Sequence, residues 1–202
     1  MYREKNPVEE VRRYNRELKR SVHLFVPDLL KMILKFCFWK ILKKMYRTAD
    51  DILARMETSG CRKLFEESVS KGSVVHGDYN YHNLIMLRDD IAVTDFEHMH
   101  TDIQIKDFCY FLRKAMEKNQ WKQKTGQKIL EAYEEVRPLS EREKEFAALS
   151  LAYPGKFKKI AGSYYRSNKA HLSEKNVEKL QICIRQTEEK YEFLSRIFPL
   201  NL

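Results

Sequence analysis

The chain has 202 residues and a formal net charge of +9, with 43% hydrophobic and 33% charged residues. That balance is too apolar for disorder, and the length suffices for one domain, or one large lobe, with a sizeable core. Six glycines and five prolines leave few turns, so the Lys/Glu/Leu-rich stretches make helix the dominant element, and the expected class is α+β, mostly α.

The charge is unevenly placed. Residues 1–48 carry 13 Lys/Arg against 5 Asp/Glu, and residues 49–202 carry 25 against 24. A basic N-terminal quarter suits an acidic partner, a nucleic acid or an anionic membrane, or else forms solvated helix faces. No nucleic-acid signature or interleaved aromatic platform accompanies it, so no nucleic-acid partner is expected. Cys37, Cys61, Cys109 and Cys183 are far apart, which argues against a zinc knuckle or disulfide framework and for a reducing, intracellular compartment. The start Met1-Tyr2-Arg3-Glu4 has no apolar signal region. The most apolar window, Leu29 to Tyr46, is interrupted by Lys31, Lys35, Lys40, Lys43 and Lys44, so no membrane span is expected.

In chain order, residues 8–23 read as a helix, with Pro7 at its start and Glu9 and Glu10 in its first turn. A second helix opens at Pro27-Asp28 and runs toward Met56. Its basic residues change face, as in a helix that contacts protein on different sides along its length. Residues 61–71 form a third, ended by Gly72. Ser73-Val74-Val75 is a short strand, and 84–87 with 91–94 flank Arg88-Asp89-Asp90 as a β-hairpin. Helices follow at 104–119, 125–135, 140–151, 155–167 and 173–197, the third of these opened by a Ser140/Glu143 capping box.

The chemistry lies in His76-Gly77-Asp78-Tyr79-Asn80-Tyr81-His82-Asn83, followed after the hairpin by Thr94-Asp95-Phe96-Glu97. A strand delivers Asp78 into a loop, Asn83 ends the loop where the hairpin begins, and the return strand brings Asp95 back beside Asn83. A free carboxylate beside a carboxamide and a second carboxylate is the set that phosphoryl transfer uses, as base for the attacking hydroxyl and as oxygen ligands for magnesium.

H-G-D-x-x-x-x-N, a short hairpin and D-F-E resemble the signature of aminoglycoside phosphotransferases, choline kinases and their kinase-like relatives. The resemblance is closer to the spore-coat CotS-type family. HGDYNYHN, AYEEVRPLSEREKE, YPGKF and SYYRSNKA are similar to segments of that family and occur in the same order, from about Arg13 onward. The resemblance implies the helical C-terminal lobe of a protein-kinase-like fold, with a small β-hairpin at the catalytic loop. It also implies Asp78 as catalytic base, Asn83 and Asp95 as ligands of Mg2+ and hence of ATP, and Asp107 as the brace of the catalytic loop. His76 and Gly77 would position that loop. The implied setting is the spore coat, with other coat proteins as partners and a small hydroxyl-bearing molecule as acceptor.

Other residues leave alternatives open. Tyr79, Tyr81, Tyr164 and Tyr165 either line a substrate cleft or fill the core. Arg166, Asn168 and Lys169 either contact a phosphate or acidic group or form a solvated loop. His76, His82, His98 and His100 fall within 25 residues, and His98-x-His100-x-Asp102 has the spacing of a hydrolase zinc site. The six glycines never cluster, and no strand-borne lysine precedes His76. Residues 1–202 are therefore expected to form one lobe lacking the nucleotide-binding lobe, with an uncovered apolar patch to which Leu29–Tyr46 contributes and with negligible phosphate transfer on its own.

Overall fold

The computed structural model of the chain describes residues 6–28, 35–166 and 174–198, with side chains described outside 21–28, 35–40, 42, 161–166 and 174–177. Helix α1, Pro7–Asp28, starts where Asn6 Oδ1 accepts the Val8 amide at 3.0 Å, which satisfies one of the free donors of its first turn. It buries Val8, Val11 and Leu18 against α2, Lys35–Thr58, and α7, Gly155–Arg166. Between them lies the buried Asn15. Its Nδ2 donates to the Ala49 carbonyl at 2.7 Å, and its Oδ1 accepts the Tyr153 hydroxyl at 2.9 Å. A buried carboxamide is tolerated because both of its ends are satisfied.

Helix α3, Cys61–Ser70, stops at Gly72, which adopts φ 68° and carries the chain out of the helix. Two small sheets follow. Strand β1, Val74–Val75, pairs antiparallel with β4, His100–Thr101 (Val74 opposite Thr101). Strands β2, Leu84–Met86, and β3, Ile91–Val93, make the hairpin (Leu84 opposite Val93), closed by the Leu87 amide on the Asp90 carbonyl at 2.9 Å. The β4 pairing is absent from the sequence reading, because two residues are too few to show a period.

The helical part continues with α4, Ile105–Lys118, α5, Gln123–Val136, and α6, Glu141–Ala152. Helix α6 is the centre of the core. Phe146, Ala147, Ala148, Leu149, Leu151 and Ala152 are all buried, on more than one face, and its neighbours include α2, α3 and α4. Each fully buried Phe or Leu contributes about 1.5–3 kcal/mol. At its start Ser140 and Glu143 form the reciprocal capping box, and Arg137 pairs with Glu143. In the turn from α4 to α5, Gln120 and Trp121 both take positive φ, which delivers the Trp121 ring into the core against Phe193.

The stretch expected as one helix over 173–197 is two, α8 (Glu174–Arg185) and α9 (Thr187–Ile197). The break is at Gln186, whose side chain donates to the Glu117 carbonyl at 3.1 Å, while Thr187 Oγ1 turns back to the Cys183 carbonyl. Within the apolar window, Met45 is buried and Ile41 and Tyr46 pack against the core. The side chains at 29–40 lie outside the described residues, as do those of Tyr164, Tyr165 and Arg166 and all of Asn168 and Lys169. Among the described residues, exposed large apolar side chains cluster on the hairpin and the segment after it, at Ile85, Met86, Leu87, Ile91 and Phe96, with Val136 at the end of α5 exposed as well.

Candidate functional site

The loop between β1 and β2 is held from below by Asp107, in the first turn of α4. Its Oδ2 accepts the His76 amide at 2.6 Å and its Oδ1 the Gly77 amide at 3.1 Å. One carboxylate thus fixes two successive backbone N–H groups with charge-assisted bonds. Gly77 has φ 82°, and a Cβ there would sit 2.3 Å from the His98 carbonyl oxygen, so only glycine fits this turn.

The His76 ring is buried and spans the loop. Its Nδ1 faces the Asp78 amide at 3.3 Å and must accept, so Nε2 carries the proton and donates to the Thr94 carbonyl at 2.8 Å. The imidazole thereby ties the catalytic-loop segment to the strand that leads into Asp95. Asn80, also buried, makes an Asx turn: Oδ1 accepts the His82 amide at 3.0 Å and Nδ2 donates to the Asp78 carbonyl at 2.9 Å.

Asp78 and Asn83 meet directly. Asn83 Nδ2 donates to the Asp78 backbone oxygen at 2.9 Å and to its Oδ2 at 3.2 Å. Both partners are acceptors, which fixes the orientation of the carboxamide. Asn83 is only 9% exposed, yet its Oδ1 accepts no hydrogen bond among the described residues. Thr94, opposite Asn83, donates its amide to the Asn83 carbonyl at 3.0 Å, which sets Asp95 one residue beyond that contact. Asp95 is exposed, has no side-chain bond to the turn that follows it, and sits at φ 67°, ψ 59°, a left-handed conformation that costs about 1–2 kcal/mol for a residue other than glycine.

The residues fit a magnesium–nucleotide group by the chemistry of their donors. An unpaired buried carboxamide oxygen and a carboxylate without a partner among the described residues are hard oxygen ligands, and magnesium takes few protein oxygens beside phosphate and water.

Tyr110, on α4, closes the site from the other side. Burial pushes its phenol above the ordinary value, and the nearby Asp78 carboxylate pushes it further. Tyr110 also lines a cleft of about 740 Å³ between α4 and α7. Cys109, in the same cleft, is no nucleophile at neutral pH, because burial raises its thiol to about 12. Neither Tyr110 nor Asn80 is singled out by the sequence reading. The signal for Tyr110 was its place one helical turn beyond Asp107, and for Asn80 the N-x-H spacing of an Asx turn.

The histidines are occupied otherwise than a zinc site requires. His100 Nδ1 lies 2.7 Å from the His98 carbonyl, and its Nε2 lies 3.2 Å from Asp102 Oδ2. Asp102, fully buried, also takes the Ile103 amide at 2.7 Å and Lys106 Nζ at 2.6 Å. This is a structural latch. Lys106 reaches on to Glu10 of α1 at 3.4 Å. Burial would raise the Glu10 carboxyl, but Lys106, the Tyr14 hydroxyl and Arg13 together hold it below its ordinary value.

The crystal structure of an aminoglycoside phosphotransferase from Alicyclobacillus acidocaldarius matches with a TM-score of 0.80 at 19% identity, over 95% of this chain and 57% of that one. The class is therefore an α+β, mostly helical, kinase-like fold. A family model described as "Spore coat putative kinase YutH" matches residues 63–197, two thirds of the chain, and the chain belongs to that CotS-type, kinase-like family. Spore coat protein S of Bacillus subtilis (strain 168) is 26% identical over 162 residues, 79% of this chain and 46% of that protein. The chain thus spans about half the length of the relatives it matches. No helix among the described residues is long and apolar enough to cross a membrane.

Proposed function

We propose that this chain is a spore-coat kinase-like protein, acting in coat assembly, whose loop retains the acceptor and metal half of a phosphotransfer site. The observation that carries the chemistry is the Asp78–Asn83 contact, which leaves a buried carboxamide oxygen unpaired, with the strained Asp95 one residue beyond the Thr94–Asn83 backbone pairing. Asn83 and Asp95 would hold Mg2+, and through it the phosphates of ATP, neutralising charge on the group transferred. Asp78 accepts the proton of an acceptor hydroxyl and orients its oxygen. Asp107 and His76 keep that carboxylate in place, and Gly77 lets the backbone pass under His98. The spore-coat relatives support the assembly role, with other coat proteins as partners.

Transfer also requires a cleft for the base and ribose and a lysine on the phosphates, which the relatives' additional length would supply. Orientation is worth about 7–11 kcal/mol of a barrier and one electrostatic contact about 3–4 kcal/mol, so these 202 residues by themselves turn over ATP negligibly. The test is calorimetry with magnesium and ATP, paired with an ATP-consumption assay. Weak, magnesium-dependent binding that disappears in Asn83→Ala and Asp95→Ala is expected. Binding indifferent to both substitutions would remove the metal assignment. Tight binding, with turnover lost in Asp78→Ala, would replace the assembly role with a kinase complete in this chain.

A further inference from the structure

We infer that the cleft between α4 and α7 takes a small, negatively charged, hydroxyl-bearing molecule as the phosphate acceptor. The inference rests on the phosphotransfer reading and names its substrate class. Tyr110 places the cleft: its ring forms part of the lining, and its phenol is close enough to feel the Asp78 carboxylate. A hydroxyl presented at that end of the cleft reaches the carboxylate that would take its proton. At about 740 Å³ the space matches a single small molecule.

The charge of the walls decides the class. Six basic side chains and one carboxylate, Glu117, line the cleft. Arg113 at 2.9 Å and Lys156 at 3.3 Å share that carboxylate, and Lys106 is engaged by Asp102 and Glu10. Lys114, Lys159 and Lys179 have no acidic partner among the described residues. They come from three helices, α4, α7 and α8, and so converge on the cleft by tertiary packing rather than as one solvated stripe. Lys114 leans over the Tyr110 ring, its ammonium 5.5 Å from the ring centre. Low-dielectric walls carrying one sign of charge focus the field and concentrate ligands of the opposite sign. A polyamine sugar, cationic at neutral pH, is repelled there. A sugar phosphate or sugar acid is drawn in and turned so that its anion meets the lysines and a hydroxyl meets Asp78.

The step then balances without any other reagent. The acceptor oxygen bonds to the γ-phosphorus of ATP, the bond from that phosphorus to the β,γ-bridging oxygen breaks, ADP leaves, and the hydroxyl proton passes to Asp78.

The experiment needs no turnover. Binding to the full chain is measured by calorimetry at low salt, without nucleotide, for matched pairs: glucose 6-phosphate against glucose, sn-glycerol 3-phosphate against glycerol, glucuronate against glucose, with kanamycin as the cationic probe. At least one anionic member should bind five-fold or more tighter than its neutral counterpart and tighter than kanamycin, and the preference should weaken with salt. The phosphate and carboxylate pairs show which anion the lysines favour. Lys114→Gln/Lys159→Gln/Lys179→Gln, checked for folding by circular dichroism, should bring that preference below five-fold. Pairs all within five-fold in the wild type, tighter kanamycin, or a preference that survives the triple substitution each overturns the inference. Asp95→Ala should keep the anion preference while losing metal-dependent nucleotide binding, so failure of the anion site and failure of the phosphotransfer reading are seen separately.

Discussion

Replacing Asp107 with alanine removes both oxygens that hold the loop, at 2.6 Å from the His76 amide and 3.1 Å from the Gly77 amide. A hydrogen bond to a charged group contributes about 1.5–3 kcal/mol. Gly77 is exposed, so water replaces its partner at small cost, whereas His76 is buried and its N–H is left unpaired. The expected loss is therefore about 2–4 kcal/mol, below twice the single-bond value. The carboxylate's interaction with the α4 dipole accounts for at most about 1 kcal/mol of it. For a chain of this size that corresponds to a fall in melting temperature of about 4–16 °C. Urea unfolding followed by circular dichroism measures the loss, and amide hydrogen exchange locates it, with protection at His76 falling most. Asp107→Asn should lie between, since one oxygen still accepts while the amide NH2 opposes the other donor. A loss under about 0.5 kcal/mol, with His76 protection unchanged, would show that Asp107 does not brace the loop.

Asp95→Gly should stabilise the fold by about 0.5–1 kcal/mol, because glycine takes the left-handed conformation without strain, while abolishing magnesium-dependent nucleotide binding; chemical denaturation and calorimetry read the two effects. Gly126→Ala should destabilise by about 1–3 kcal/mol, since the new methyl would stand 2.3 Å from the buried Phe193 ring, outweighing alanine's helical preference. Lys190, capping the end of α6 through the Ala152 and Tyr153 carbonyls, is brought down to about 8 by burial and secondarily by Arg113. Between about pH 8 and 10 the unfolded chain keeps that proton and the folded chain releases it, so wild-type stability should gain on Lys190→Met as pH rises. Melting curves across that window check the sign.

The elements that fold by local rules were legible in the sequence: the capped α6, the hairpin around Arg88-Asp89-Asp90, and the helix closed by Gly72. So was the place of the loop between a strand and the hairpin. What stayed hidden depends on contacts distant in sequence. The last helical stretch breaks at Gln186, whose side chain is tied to the Glu117 carbonyl, with no glycine or proline to announce it. Asp95 reads as a strand end, whereas it takes a positive φ just past the Thr94–Asn83 pairing. Lys114, Lys159 and Lys179 look like solvated helix positions until α4, α7 and α8 bring them to one cleft. His98, His100 and Asp102 had the spacing of a metal site, but the His98 ring faces Glu97, and His100 and Asp102 are spent on each other, on Lys106 and on the backbone.

The bond between Asn15 and Tyr153 joins residues 138 positions apart. During synthesis, α1 emerges long before the segment that seals it. At about 5–20 residues per second, Asn15 waits roughly 7–28 s for the Tyr153 hydroxyl to arrive. For that interval α1 can lie on α2, but its α7 side stays open and the Asn15 carboxamide lacks one of its two buried partners.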